Sequence, residues 1–110
     1  MVLSKKIILE KLKKDLEHAG YTTHFFKKYG LPNLYIGKGT LGPEMSWVSY
    51  LLSRYLLDHP KIYKEKKVLD MGTGSGVQAV IMASHGAKKV LGADISSLAV
   101  KSLDKNIYWA

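Results

Sequence analysis

Cysteine is absent from the 110-residue sequence, which excludes a disulfide framework and a cysteine-based zinc site. No apolar run approaches the roughly 18 residues of a membrane span. The N-terminal stretch MVLSKKIILEKLKK threads charges through its apolar positions, which is unlike a signal peptide. The four histidines have no other metal-ligating side chain at a suitable spacing, so we predict no metal site. We expect a cytoplasmic protein without a membrane partner.

Arginine is nearly absent as well. Arg54 is the one arginine among 17 basic residues. With nine acidic residues, the sequence has a net charge of +8. A basic chain is compatible with nucleic acid or another acidic partner. Arginine, however, is favoured for reading bases and for bidentate phosphate contacts. The charge therefore favours a solvated, lysine-rich surface, and nucleic-acid binding stays open as the alternative.

The residues before position 60 predict a helix, a β-hairpin and a second helix. Ser4 is placed to cap the first helix and Gly20 to end it. Its apolar stripe comprises Ile8, Leu12, Leu16 and Ala19, and its lysines at 5, 6, 11, 13 and 14 lie off that stripe. This helix is either packed on a neighbour or a basic recognition helix.

Residues 21–38 are rich in β-branched and aromatic side chains around the turn signal GLPN at 30–33. His24, within this stretch, is expected to be a strand or surface residue. Residues 37–42, GKGTLG, are expected to form a loop, because the full phosphate-loop pattern is missing. A second helix is predicted from Pro43, with Glu44 in its first turn, to Asp58. Its apolar face would comprise Trp47, Val48, Leu51, Leu52, Tyr55 and Leu56.

From residue 67 onward the pattern alternates between strand and helix. We predict strand 67–71, helix 75–84, strand 88–93 and a last helix, capped by Ser96 or Ser97, that runs to about Ile107. The two predicted strand starts, at residues 67 and 88, are 21 residues apart, which is typical of a βαβ unit with a parallel pair and a right-handed crossover.

The stretch VLDMGTGSGVQAV (68–80) places an acid and three alternate glycines at the end of the first strand. Glycines there let a ligand approach the backbone, and the next helix offers N–H groups at its N-terminus. Asp94 ends the second strand and could accept the hydroxyls of a ribose. The pattern therefore predicts a nucleoside-bearing ligand across the carboxyl ends of two strands.

Two classes of cofactor use this geometry. The dinucleotide fingerprint G-x-G-x-x-G/A would need a small residue where Val77 stands, and it has no use for Asp70. The alternative, D-x-G-x-G-x-G, matches at every position. Its ligand carries a cationic amino group and a sulfonium, and it is compatible with an acid that would repel a pyrophosphate.

Residues 67–107 resemble the first half of a class I S-adenosylmethionine-dependent methyltransferase. The tail GAKKVLGADISSLAVKSLDKN is similar to ribosomal-protein methyltransferases and their small-domain relatives, which include HemK-like glutamine methyltransferases and RNA base methyltransferases. GKGTLGPEMSWVSYLL resembles, more loosely, the segment that precedes the glycine motif in those proteins, so the likeness covers about residues 37–110. It implies an α/β fold: the first βαβ unit of a Rossmann-like, doubly wound parallel sheet.

The resemblance also implies roles for single residues. Asp70 and the backbone from Met71 to Gly76 would line the methionine end of S-adenosylmethionine, Asp94 would bind the ribose hydroxyls, and Ile95 would lie against the adenine. The implied cofactor-binding set is Asp70, Met71, Gly72, Thr73, Gly74, Gly76, Asp94 and Ile95. The implied activity is methyl transfer to a protein or nucleic-acid nitrogen.

The small-domain relatives hold the target nitrogen with an Asn/Asp-Pro-Pro-Tyr/Phe motif, and no Pro-Pro occurs in this sequence. Catalytic residues are therefore left unassigned. We expect an N-terminal extension over residues 1–42, an incomplete cofactor-binding domain over residues 43–110, and a missing C-terminal half or a second chain as partner. The alternative is a non-catalytic nucleotide- or RNA-binding module that uses the basic first helix.

Overall fold

The computed structural model describes residues 4–23, 27, 34–42 and 47–107. Within these residues the chain is an α/β protein with two small sheets, as predicted. The elements are helices α1 (Lys5–Leu16), α2 (Trp47–Asp58), α3 (Val77–Ser84) and α4 (Ser97–Ile107), strands β1 (Tyr21–Thr23), β2 (Leu34–Ile36), β3 (Lys67–Met71) and β4 (Lys89–Ala93), and a short 3-10 turn at Pro60–Ile62.

Helix α1 begins as predicted and ends early. The Ser4 side chain accepts a hydrogen bond from the Ile7 N–H at 3.3 Å, which confirms the cap. The prediction that Gly20 ends the helix is wrong, since α1 stops at Leu16 and the Glu17 N–H closes a tighter turn onto Lys14. Gly20, with a φ of +96°, instead turns the chain into β1.

Strands β1 and β2 form an antiparallel pair in which Thr22 lies opposite Tyr35. The predicted hairpin strands are confirmed where the structure describes them. His24, the turn at 30–33, and the predicted helix start at Pro43 and Glu44 lie outside the described residues. Residues 37–42 form a loop, as predicted.

Helix α2 ends at Asp58, as the Asp-His-Pro sequence predicts. The buried Tyr63 hydroxyl donates to the Leu56 carbonyl at 2.8 Å and thereby satisfies one of the last carbonyls of the helix. Burial raises the pKa of this phenol. Of the predicted apolar face, Leu56 alone is buried; the other five side chains, Trp47, Val48, Leu51, Leu52 and Tyr55, are exposed.

Strands β3 and β4 are parallel, with α3 between them in the chain, and Asp70 lies opposite Gly92. Strand β3 has the predicted bounds, and β4 begins at Lys89, one residue later than predicted. Helix α3 begins at Val77 and not at Ser75, because Gly76 occupies the cap position with a left-handed φ of +87°.

The buried core joins the β1–β2 sheet to the segment formed by β3, α3 and β4. Leu34 and Ile36 of β2 lie in the same apolar cluster as the inward face of α3 and Tyr63, and Val68 and Val90 of the parallel pair pack against it. The opposite side of that pair leaves Leu69 and Leu91 exposed. None of the described helices is both long enough and apolar enough to cross a bilayer.

Candidate functional site

The site lies at the carboxyl ends of β3 and β4. The two strands are parallel and adjacent, so the Asp70 and Asp94 carboxylates come to the same edge of the sheet. The turn from Gly72 to Gly76 runs between β3 and α3, and it presents the N-terminus of that helix at the same edge. Both predicted acids and the predicted glycine turn are therefore brought together.

The three glycines of the turn serve two different purposes. Gly72 and Gly74 have φ values of +70° and +58°, and a Cβ added to either would meet nothing within 4 Å. Their open side leaves the backbone accessible to a ligand. Gly76 faces inward instead, where a Cβ would collide with the Leu103 side chain of α4. The first two glycines open the site, and the third lets α4 pack against it.

Hydrogen bonds hold the turn in shape from both strands. Thr73 donates through its hydroxyl to the Asp70 carboxylate at 2.7 Å. The Gly74 N–H donates to one Asp94 oxygen at 2.9 Å, and the Ser96 N–H donates to the other at the same distance. The N–H groups of Gly72 and Thr73 both donate to the Ala93 carbonyl. These bonds brace the loop from both strands.

Asp94 also stabilises the start of α4. Its bond to the Ser96 N–H starts the turn into α4, and Ser96 itself accepts from the Ala99 N–H at 3.4 Å, which identifies Ser96 as the cap. A carboxylate oxygen has two lone-pair sites, so each Asp94 oxygen can accept a hydroxyl in addition to its backbone donor.

The predicted site residues differ in accessibility. Ile95 is fully exposed and Met71 is 73% exposed, so both can contact a ligand. Thr73 and Gly76 are buried, and the Thr73 hydroxyl is occupied by Asp70. These two residues support the site from behind, and only their backbone could contribute to its lining.

Two residues that support the turn escaped the sequence reasoning. Gly92 in β4 lies behind Thr73, and a Cβ there would come within 2.9 Å of the Thr73 hydroxyl oxygen and 2.7 Å of a Leu103 methyl. Asn106 in α4 donates to the Ser75 carbonyl at 2.6 Å. A signal for Asn106 was available, since it continues the helical stripe of Ala99 and Leu103 with a polar side chain.

The site suits a nucleoside-bearing cation better than a dinucleotide. Asp70 lies beside the open backbone of the turn, where it would attract a cationic amino group and repel a pyrophosphate. Val77, at the position where a dinucleotide site needs a small residue, is buried in the core. Asp94 offers carboxylate oxygens for ribose hydroxyls. The residues present therefore fit S-adenosylmethionine, and they would hold it by the turn backbone and these two acids.

Two carboxylates that flank an open glycine turn at the ends of parallel strands are characteristic of class I S-adenosylmethionine-dependent methyltransferases. Residues 51–109 match the family model of ribosomal protein L11 methyltransferase (PrmA). The chain belongs to this family. Methyltransferases of this class use S-adenosylmethionine as their methyl donor.

Individual relatives agree with the family. The chain is 44% identical over 55 residues to the mouse (Mus musculus) electron transfer flavoprotein beta subunit lysine methyltransferase. These 55 residues are 50% of this chain and 22% of the mouse protein. It is 37% identical over 76 residues to the ribosomal protein L11 methyltransferase of Alkaliphilus oremlandii, or 69% of this chain and 22% of the relative.

A third relative, protein arginine N-methyltransferase 1 of Saccharomyces cerevisiae, is 28% identical over 96 residues, which is 87% of this chain and 26% of the yeast protein. The chain therefore spans about a quarter or less of the length of these relatives. No solved structure matches it.

Proposed function

We propose that this chain carries the cofactor-binding unit of an S-adenosylmethionine-dependent protein methyltransferase, built as the first βαβ unit of a Rossmann-like sheet. The observation that carries the proposal is the pair of carboxylates, Asp70 and Asp94, on either side of an open and internally braced glycine turn. The relatives support a protein as the methyl acceptor, because their names specify a flavoprotein subunit, a ribosomal protein and protein arginine.

Each residue of the site has a distinct part in this function. Asp70 would hold the cationic amino group at the end of β3, and the open backbone at Gly72 and Gly74 would lie along the methionine portion. Asp94 would accept the ribose hydroxyls, and the exposed Ile95 would cover one face of the adenine. The cofactor, when bound, supplies a methyl group on a positively charged sulfur.

The contribution of the chain to the reaction is orientation. A site that fixes the donor in one pose converts the encounter with an acceptor nitrogen into a reaction within a single complex. In-line attack on the methyl carbon then needs the nitrogen to arrive opposite the sulfur. The bracing bonds favour this outcome, because less of the loop then has to be ordered when the cofactor binds.

The test is calorimetric titration of the purified chain with S-adenosylhomocysteine, with NAD⁺ as the comparison ligand. We expect binding of S-adenosylhomocysteine alone. Asp94→Ala should weaken it roughly 100-fold, since hydrogen bonds to a charged group are each worth about 1.5–3 kcal/mol. Asp104→Ala is the matched control, because Asp104 is exposed on α4 and distant in sequence from the turn.

Absence of S-adenosylhomocysteine binding in a chain that melts cooperatively would reject the proposal. Equal binding of NAD⁺ would reject the cofactor class, because the Asp70 carboxylate should exclude a pyrophosphate. An equal loss of affinity in the Asp94 and Asp104 variants would show that the effect is not specific to the site.

The lysines of α1 favour a second candidate function, a nucleic-acid-binding module. Lys5, Lys6, Lys13 and Lys14 are all exposed on one short helix. If the chain is a nucleic-acid-binding module, replacement of Lys13 and Lys14 by Glu should abolish RNA binding. If the chain is a methyltransferase cofactor-binding unit, the same replacement should leave the S-adenosylhomocysteine affinity unchanged. Filter binding at two salt concentrations measures RNA binding, since phosphate contacts weaken as the salt concentration rises.

A further inference from the structure

Asn106 is a fully buried amide with every hydrogen-bonding group of its side chain occupied. It is 1% exposed. Its oxygen accepts from the Tyr35 N–H at 2.7 Å, and its nitrogen donates to the Tyr35 carbonyl at 2.8 Å. The remaining hydrogen goes to the Ser75 carbonyl at 2.6 Å. A buried amide satisfied in this way has one geometry, because any other would leave a polar group without a partner.

The three bonds of Asn106 connect two separate parts of the molecule. Towards Tyr35 the side chain behaves as a strand partner, since it bonds both backbone groups of one residue of β2. Towards Ser75 it donates to the carbonyl of the Ser75–Gly76 peptide, which lies within the turn that forms the proposed cofactor site. Tyr35 and Ser75 therefore share a single rigid amide.

Ser102, one turn earlier on the same helix, forms hydrogen bonds to the β2 segment, and neither of these bonds involves the glycine turn. Its hydroxyl accepts from the Gly37 N–H at 2.9 Å and donates to the Tyr35 carbonyl at 3.3 Å. It is as deeply buried as Asn106. The two side chains thus differ in one respect that matters: Asn106 alone of the pair extends from β2 to the cofactor turn.

We propose that Asn106 is a positioning residue that couples the β1–β2 hairpin to the cofactor turn, so that cofactor binding and hairpin docking stabilise each other. The coupling rests on the proposed function, because it requires a ligand at the turn. A ligand that fixes the Ser75 peptide fixes the amide, and the amide fixes the Tyr35 backbone. Such coupling is reciprocal, so a loosened hairpin lowers the affinity for the cofactor by the same factor.

The first test uses the native chain. Hydrogen exchange of the Tyr35 amide is measured with and without saturating S-adenosylhomocysteine, and calorimetry on the same sample measures the affinity. We expect the ligand to slow Tyr35 exchange more than it slows the exposed amides of α1. Native affinity combined with unchanged Tyr35 exchange would overturn the coupling and leave the proposed function standing. No binding at all would overturn both.

The second test separates coupling from general packing. Asn106→Asp keeps the acceptor for the Tyr35 N–H and removes both donors, including the bond to Ser75. We expect S-adenosylhomocysteine to bind about tenfold more weakly, within the usual range of coupling between sites, and its protection of Tyr35 to be lost. Ser102→Ala removes two bonds to the β2 segment and leaves the three Asn106 bonds in place, so its affinity should fall by clearly less than that of Asn106→Asp.

Equal weakening in the two variants would show that Asn106 acts only through packing of α4 on β2, and would overturn the proposal. Native affinity in a folded Asn106→Asp chain would also overturn it. Should this variant lose its cooperative melt, the exchange measurement on the native chain decides the question without it.

Discussion

The first and last helices of the described chain are almost equal in length and differ in what they bury. Helix α4 turns Ala99, Ser102, Leu103 and Asn106 inward, all of them buried. Helix α1 has an apolar stripe of the same period, yet two members of that stripe, Ile8 and Leu12, are 44% and 39% exposed. Periodicity therefore specifies which face of a helix is apolar, and the neighbouring elements determine whether that face is covered.

The largest effect expected from this contrast is on stability. Leu103→Ala in α4 removes a buried side chain that packs behind Gly76 and Gly92, and it should lower the free energy of unfolding by about 2–5 kcal/mol. Leu12→Ala in α1 should cost far less, because its side chain is already partly in water. Urea denaturation of both variants measures the difference, and equal costs would mean that α1 is packed as firmly as α4.

A smaller effect should separate the two kinds of glycine in the turn. Gly76→Ala places a methyl against Leu103 and strains a left-handed residue, so we expect a loss of about 1–3 kcal/mol in unfolding free energy. Gly74→Ala shares the strain and meets no neighbour. It should therefore be less destabilising, while a methyl on its open side obstructs the ligand.

Thermal melts and S-adenosylhomocysteine titrations on the two glycine variants would test this division. If Gly74→Ala proved the more destabilising of the two, contact with α4 would not be what requires a glycine at position 76.

The smallest effect concerns α2, which is intermediate between the exposed α1 and the buried α4. Most of its apolar face is exposed, and Tyr63 bonds a carbonyl near its C-terminus. Burial raises the pKa of the Tyr63 phenol, so the folded chain retains a proton that the unfolded chain loses near its ordinary pKa of about 10. The contribution of Tyr63 to stability is present below that pH and is lost as the pH rises through the folded pKa.

Tyr63→Phe should remove this alkaline loss and should cost about 1 kcal/mol at neutral pH, where the Leu56 carbonyl loses its donor. Urea denaturation of both chains from pH 8 to 11 measures it. Parallel pH profiles for the native and Phe chains would contradict the assignment.

Local signals in the sequence predicted the elements nearest the site well. Strand β3 has its predicted bounds, because an apolar run there meets an acid and a glycine turn. The predicted start of α3 at Ser75 is two residues too early, because the left-handed Gly76 delays the helix to Val77. The end of α1 was misplaced because Gly20 has the conformation of a helix-ending glycine and serves β1 instead.

Contacts between distant segments could not be predicted in the same way. The bonds between Tyr35 and Asn106 join residues 71 positions apart, and no local pattern specifies that pairing. The exposure of Trp47 and Val48 on α2 could not be predicted either, since their spacing is that of a buried face. Both acids of the site were identified because each ends a strand, where a charged residue is conspicuous after an apolar run.

Gly92 has a consequence for how sequences of this kind diverge. It lies outside the glycine motif, yet a single added carbon there would meet both Thr73 and Leu103. A copy of this sequence could retain Asp70, all three turn glycines and Asp94 while drifting to alanine at position 92. Such a sequence would keep the motif residues and would lose the packing that supports the turn. The motif alone therefore does not guarantee an intact site.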